Sequence, residues 1–171
     1  IVIKTGADFK SLNASDKEDV LGLFTATHMS FEADRDPLKE PSIADMTAFA
    51  IDNLAARDDE GYVLMVEAGR IDHAHHGTNA YRALKDFQAF DKAIQTAINK
   101  ASDDTLILVT ADHSHVFTIA GYPRRGNPIL GLVSPSEYVA EIMEDDKRYI
   151  PAADGKPYTT LGYHNGRGPM R

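Results

Sequence analysis

Apolar residues in this chain follow two patterns. Tyr62, Val63, Leu64, Met65 and Val66 form one short continuous run and Leu106, Ile107, Leu108 and Val109 another, while Ala83, Phe87, Phe90, Ile94 and Ile98 recur between them at helical spacing. Runs this short and this rich in β-branched residues predict strands buried on both faces, and the stripe predicts a long helix beginning near Asn79. Strand, helix and strand in that order make a βαβ unit with a right-handed crossover. The expected fold class is α/β, with a mostly parallel sheet flanked by helices.

Outside this unit the signals are local. Residues 1–3 read as a short strand. Ser15 and Glu18 have capping-box spacing ahead of Val20, Leu21, Leu23 and Phe24, which predicts a short helix there. Ser42 and Asp45 repeat that logic after Pro41, and Ile43, Met46, Ala50 and Leu54 extend a second helix to about Arg57. Beyond Val116 the pattern weakens. Gly121-Tyr122-Pro123 and Gly126-Asn127-Pro128 read as turns, residues 129–133 as an edge strand and 136–143 as a short helix. Residues 144–171 read as a peripheral loop or hairpin region turning at Asp154-Gly155. No internal repeat is visible, and 171 residues suffice for one domain with its own core.

Composition narrows the partners. A net charge of -8 works against attraction to nucleic acid or to an anionic membrane, so no nucleic-acid-specific binding is expected; bound cations would reverse the potential locally. The absence of cysteine excludes disulfides, thiolate metal sites and a cysteine nucleophile. No apolar stretch approaches the roughly 18 residues that span a bilayer. The opening Ile1-Val2-Ile3-Lys4 carries neither an initiating Met nor a signal pattern, and the chain is expected to start within a longer protein.

The chemistry concentrates in two clusters. Asp72-His73-Ala74-His75-His76 and Asp112-His113-Ser114-His115 hold five of the seven histidines, and each follows one of the predicted strands. Ligands in open α/β sheets collect beyond the carboxyl ends of strands, so both clusters are expected at one sheet edge, together with Glu67 at the end of the first. Asp72 and His76, four apart, would share one face of a helical turn as a chelating pair. Asp112 and His113 are adjacent and would reach an ion only from a loop. Such oxygen and nitrogen donors suit zinc, with carboxylates also serving magnesium. A lone histidine at a strand end is more often a hydrogen-bonded structural residue than a ligand; two Asp/His clusters at equivalent topological points weigh the other way. His73 and His75 face elsewhere on the turn and read as solvated or as partners of ligands. His28 and His164 look isolated. A triad reading of Asp112-His113-Ser114 fails because consecutive side chains rarely face one another, which leaves Ser114 a poor nucleophile.

At these residues the chain resembles the alkaline phosphatase family. The likeness runs through residues 66–76 and 109–117, and extends to Leu21-Gly22-Leu23-Phe24, Glu40-Pro41-Ser42, Tyr81-Arg82-Ala83-Leu84, Gly121-Tyr122-Pro123-Arg124-Arg125-Gly126 and residues 158–163. The resemblance implies two zinc ions and one magnesium ion, with Glu67 on magnesium, Asp72 and His76 on the first zinc, and Asp112 and His113 on the second. His115 would hydrogen-bond the carboxylate of Asp72. It further implies a serine that attacks phosphate monoesters to form a phosphoserine, a homodimer, and a periplasmic or secreted location. The family's Asp-Ser-Ala nucleophile segment has no counterpart here. Its bridging aspartate, phosphate-binding arginine and last zinc histidine are also missing. The chain therefore reads as an internal segment, residues 1–171, of a single alkaline-phosphatase-like domain, with an incomplete sheet and no activity of its own. A related metal-dependent phosphodiesterase and a noncatalytic metal-binding fragment are the competing expectations.

Overall fold

The computed structural model describes residues 1–57, 60–119, 122–136 and 148–165. The chain forms two compact units, one of Ile1–Ala74 and Arg82–Asp112, the other of His75–Tyr81 and His113–Arg171.

In the first unit, strand β1 (Val2–Ile3) pairs in parallel with β2 (Leu21–Gly22). Helix α1 (Gly6–Lys10) starts on a capping box, in which Thr5 Oγ1 accepts from Asp8 N at 3.0 Å and the Asp8 carboxylate accepts from Thr5 N at 3.0 Å. Gly6 is required there, because a Cβ would lie 2.5 Å from the carbonyl oxygen of Pro37. The capping signal at Ser15 and Glu18 does not start a helix. Asn13 caps a single 3-10 turn (Ala14–Asp16) instead, and Lys17 ends it in the left-handed region at φ 59°. The backbone N–H groups of Leu21 and Leu23 then donate to Ile1 and Ile3, so pairing with β1 overrides the local signal.

Helix α2 (Ile43–Arg57) forms where the spacing places it. Asp45 N donates to Ser42 Oγ at 3.1 Å, while Ser42 N donates back to the Asp45 carboxylate at 3.3 Å. Ile51 is buried, a contribution of about 1.5–3 kcal/mol for a side chain of this kind. Asn53, also buried, donates to the carbonyl of Ala14 at 3.1 Å and ties the 3-10 turn to α2.

Helix α3 (Arg70–His76) and helix α4 (Ala80–Lys100) follow. The long helix is as expected, but its buried face is not the large apolar stripe. Ala83, Asp86, Ala89 and Ala93 are buried, whereas Phe87 and Ile98 are 57% and 54% exposed. Alanines permit close approach to a neighbour, and Asp86 turns inward to accept the backbone N–H of Glu32. That bond secures a 3-10 turn (Glu32–Asp34), which is also held by an ion pair from Arg82 to Asp34 at 2.8 Å.

The expected strands at 62–66 and 106–109 carry no ladder partner among the described residues, and the sheet pairings described there do not include the parallel sheet of the expected βαβ unit. A strand buried on both faces presupposes neighbours on either side, and neither run has one here. Val63 and Met65 are 97% and 86% exposed and alternate with half-buried Leu64 and Val66, the period of extended chain. Leu106 and Leu108 are 80% and 82% exposed. The sheets among the described residues have two strands each.

In the second unit, β3 (Phe117–Ile119) pairs antiparallel with β4 (Leu161–Tyr163), which sets Phe117 opposite Tyr163. Val133 and Thr160 form its buried centre. Residues 129–133 do not make an edge strand: Gly131 N closes a turn on the carbonyl of Pro128 at 2.9 Å, leaving one bridge from Leu132 to Thr159. The turns at Gly126 and Gly155 form with φ of +84° and +78°, where glycine avoids the strain of a Cβ. Pro151 bridges Pro157 across the second of them. Residues 137–143 of the helix expected at 136–143, and Gly121 of the first expected turn, lie outside the described residues.

Candidate metal centre

Helix α3 organises the site. It leaves the extended run through Glu67-Ala68-Gly69, with Ile71 N donating to the Ala68 carbonyl at 3.2 Å. It ends where Thr78, at φ 52°, donates its N–H to His75. Seven residues give two turns, enough to send the side chains in three directions.

Ala74 faces inward and is fully buried. On another face, His73 Nδ1 accepts from Arg70 Nη1 at 3.0 Å, since a guanidinium only donates. The His73 ring lies 4.3 Å from that of His28, and Arg70 in turn stacks 3.7 Å above the ring of Phe31. His28, isolated in sequence, is therefore a partner of His73; 44 intervening residues hide that pairing from any local pattern.

Asp72 and His76 stand one turn apart, as their spacing requires. Each offers a donor atom, and with one from His115 these atoms lie within 4.8 Å of one another. His76 and His115 belong to the same compact unit, their rings edge-on at 5.0 Å, and Asp72 is tied to His76 by the helix itself. One carboxylate oxygen and two imidazole nitrogens form a donor set that fits zinc, and three protein ligands are the number a catalytic zinc uses while keeping a position for water or substrate. The same arrangement lets His115 serve as a third donor or as a hydrogen-bonding partner of Asp72.

The remaining expected ligands lie outside this cluster of three. Glu67 is exposed, three residues ahead of α3, with an Oε1 oxygen 3.4 Å from where a Cβ on Gly69 would stand. Asp112 and His113 are exposed in the loop before β3. The His113 ring is 5.2 Å from that of His115, and its Nδ1 lies 3.1 Å from the carbonyl of Ser114. Ser114 is exposed on the same loop. His164, the other histidine without an expected role, has its Nε2 3.2 Å from Thr118 Oγ1.

Donors from helix α3 and from the loop before β3 form a group that could hold a metal ion, which is a broad class. Comparison with known proteins narrows it: the family model described as alkaline phosphatase matches residues 3–168. Tissue-nonspecific alkaline phosphatase of Gallus gallus is 42% identical over 159 residues and that of Homo sapiens 40% identical over the same length. Each alignment covers 92% of this chain and 28% of the relative. The chain belongs to the alkaline phosphatase family, and it spans about 28% of the length of the curated relatives it matches. Among the described residues, no helix is long and apolar enough to cross a membrane.

Proposed function

We propose that this chain is the metal-holding segment of a longer enzyme that hydrolyses phosphate monoesters, with the attacking serine carried outside residues 1–171. The observation that carries this reading is the convergence of Asp72, His76 and His115 in a chain that matches the alkaline phosphatase family along nearly its whole length. Support for a longer protein comes from the 28% coverage of relatives and from the exposed apolar runs around Val63 and Leu106, which further strands would bury.

In this reading Asp72 and His76 hold the first of two zinc ions, Asp112 and His113 the second, and Glu67 a magnesium ion. Such ions, when bound, stabilise negative charge on the attacking and leaving oxygens of a phosphoryl group during its displacement. The chain's own residues supply the scaffold. Helix α3 fixes Asp72 and His76 on one face, and His115 holds the carboxylate of Asp72 in orientation. The loop before β3 bears Asp112 and His113, both exposed. Phosphate monoesters are the substrates, a phosphoserine outside this chain the intermediate, and a homodimer acting in the periplasm or outside the cell the working form.

A noncatalytic metal-binding role for the chain on its own is favoured by one observation, the position of Asp112 and His113 outside the cluster of three. Stripping the longer protein of metal and restoring zinc and magnesium while assaying a chromogenic phosphate monoester tests the main reading. Activity that returns with the ions supports it. Full activity in the stripped protein, or metal uptake with no hydrolysis, contradicts it.

A further inference from the structure

The pairing of β3 with β4 sets Tyr163 across from Phe117, their rings 5.2 Å apart. The Tyr163 hydroxyl reaches 2.8 Å from Nδ1 of His75. The His75 ring, 5.2 Å from that of Phe117, stacks on His115 with centroids 4.9 Å apart and planes within 28° of parallel. His115 in turn meets His76 edge-on. Every residue in this series belongs to the second compact unit.

An imidazole on a loop turns about two side-chain bonds, and its value to a metal centre depends on holding one orientation. His115 lies in the loop before β3, while His75 is carried by α3 and held at its ring nitrogen. We propose that Tyr163 is a positioning residue for the metal centre, acting through His75 to fix the ring of His115 against His76. The inference rests on the reading of His76 as a metal-holding residue. Packing against Phe117 needs only an aromatic ring, so the effect of the hydroxyl is separable from that of the ring. Burial pushes the phenol of Tyr163 above its ordinary range, so it meets His75 as a neutral hydroxyl that orients without adding charge.

Tyr163→Phe in the longer protein removes the hydroxyl and keeps the ring. Zinc affinity, measured by chelator competition, is expected to fall about tenfold, the lower end of the range for residues that orient metal ligands. The d–d absorption of the cobalt-substituted protein should change with it, while thermal unfolding of the metal-free protein stays as in the parent. Unchanged affinity and absorption would overturn the proposal, as would an affinity loss matched by an equal loss of stability in the metal-free form. Should Tyr163→Phe fail to fold, His75→Phe, which keeps the stacked ring and loses the hydrogen bond, must show the same loss. His76→Ala, measured in parallel, separates the two levels. Zinc retained at parental affinity there refutes the metal reading itself; zinc lost there but held normally in Tyr163→Phe refutes only the positioning role.

Discussion

Asp86 on α4 accepts the backbone N–H of Glu32 through both carboxylate oxygens, at 3.3 and 3.2 Å, across 54 residues of sequence. Burial pushes its carboxyl above the ordinary range, and the bond from Glu32 offsets only part of that. The folded state therefore binds this proton more tightly than the unfolded chain does. Stability from this group is complete below the unfolded carboxyl range and falls as pH rises through the raised folded value. Asp86→Asn keeps an acceptor for Glu32 and removes the titration. Denaturant unfolding between about pH 4 and pH 7 should show the variant gaining on the parent as pH rises. A difference that stays constant or shrinks would assign the shift to another group.

In the longer protein, Asp112→Ala and His113→Ala should reduce phosphatase rate by orders of magnitude, because each removes a proposed zinc ligand. His73→Ala should matter far less, since its contacts are Arg70 and His28. Equal losses in all three folded variants, measured as kcat/KM, would show that the ligand assignment is wrong.

His115→Ala should leave the first zinc site formed but weakened, with affinity or activity down roughly 10- to 100-fold. Complete loss of that zinc, read by metal analysis of the purified variant, would instead make His115 a direct ligand. Both roles are compatible with its donor atom standing within 4.8 Å of those of Asp72 and His76.

Residues 1–171 alone should hydrolyse a chromogenic phosphate monoester negligibly, since groups that act as a unit lose activity together when part is missing. Turnover that copurifies with this chain and vanishes in Ser114→Ala would make Ser114 a nucleophile after all.

What was legible in the sequence had local causes. The Ser42 cap and the extent of α2, the helical spacing of Asp72 and His76, and the glycines at 126 and 155 each act within a few residues, and the structure follows them, although α2 buries Thr47, Ile51 and Asn53 and not the expected stripe. What was not legible depended on partners distant in sequence. The capping signal at Ser15 lost to strand pairing with β1, and the buried face of α4 is defined by alanines and an inward aspartate that hydropathy cannot single out. The runs at 62–66 and 106–109 have the composition of buried strands, but composition does not supply the neighbours that make a sheet. At the site, the sequence offered the right residue types. The contacts of His28 with His73, and of His75 with Tyr163, needed the fold.

The most direct test of the account is the zinc content of the longer protein with Asp72→Ala, His76→Ala and His73→Ala, measured by elemental analysis after equilibration with limiting free zinc. The account predicts that the first two variants each lose one zinc ion per chain and that His73→Ala keeps the parental content. Parental content in Asp72→Ala and His76→Ala, with folding intact, would contradict a metal centre on helix α3.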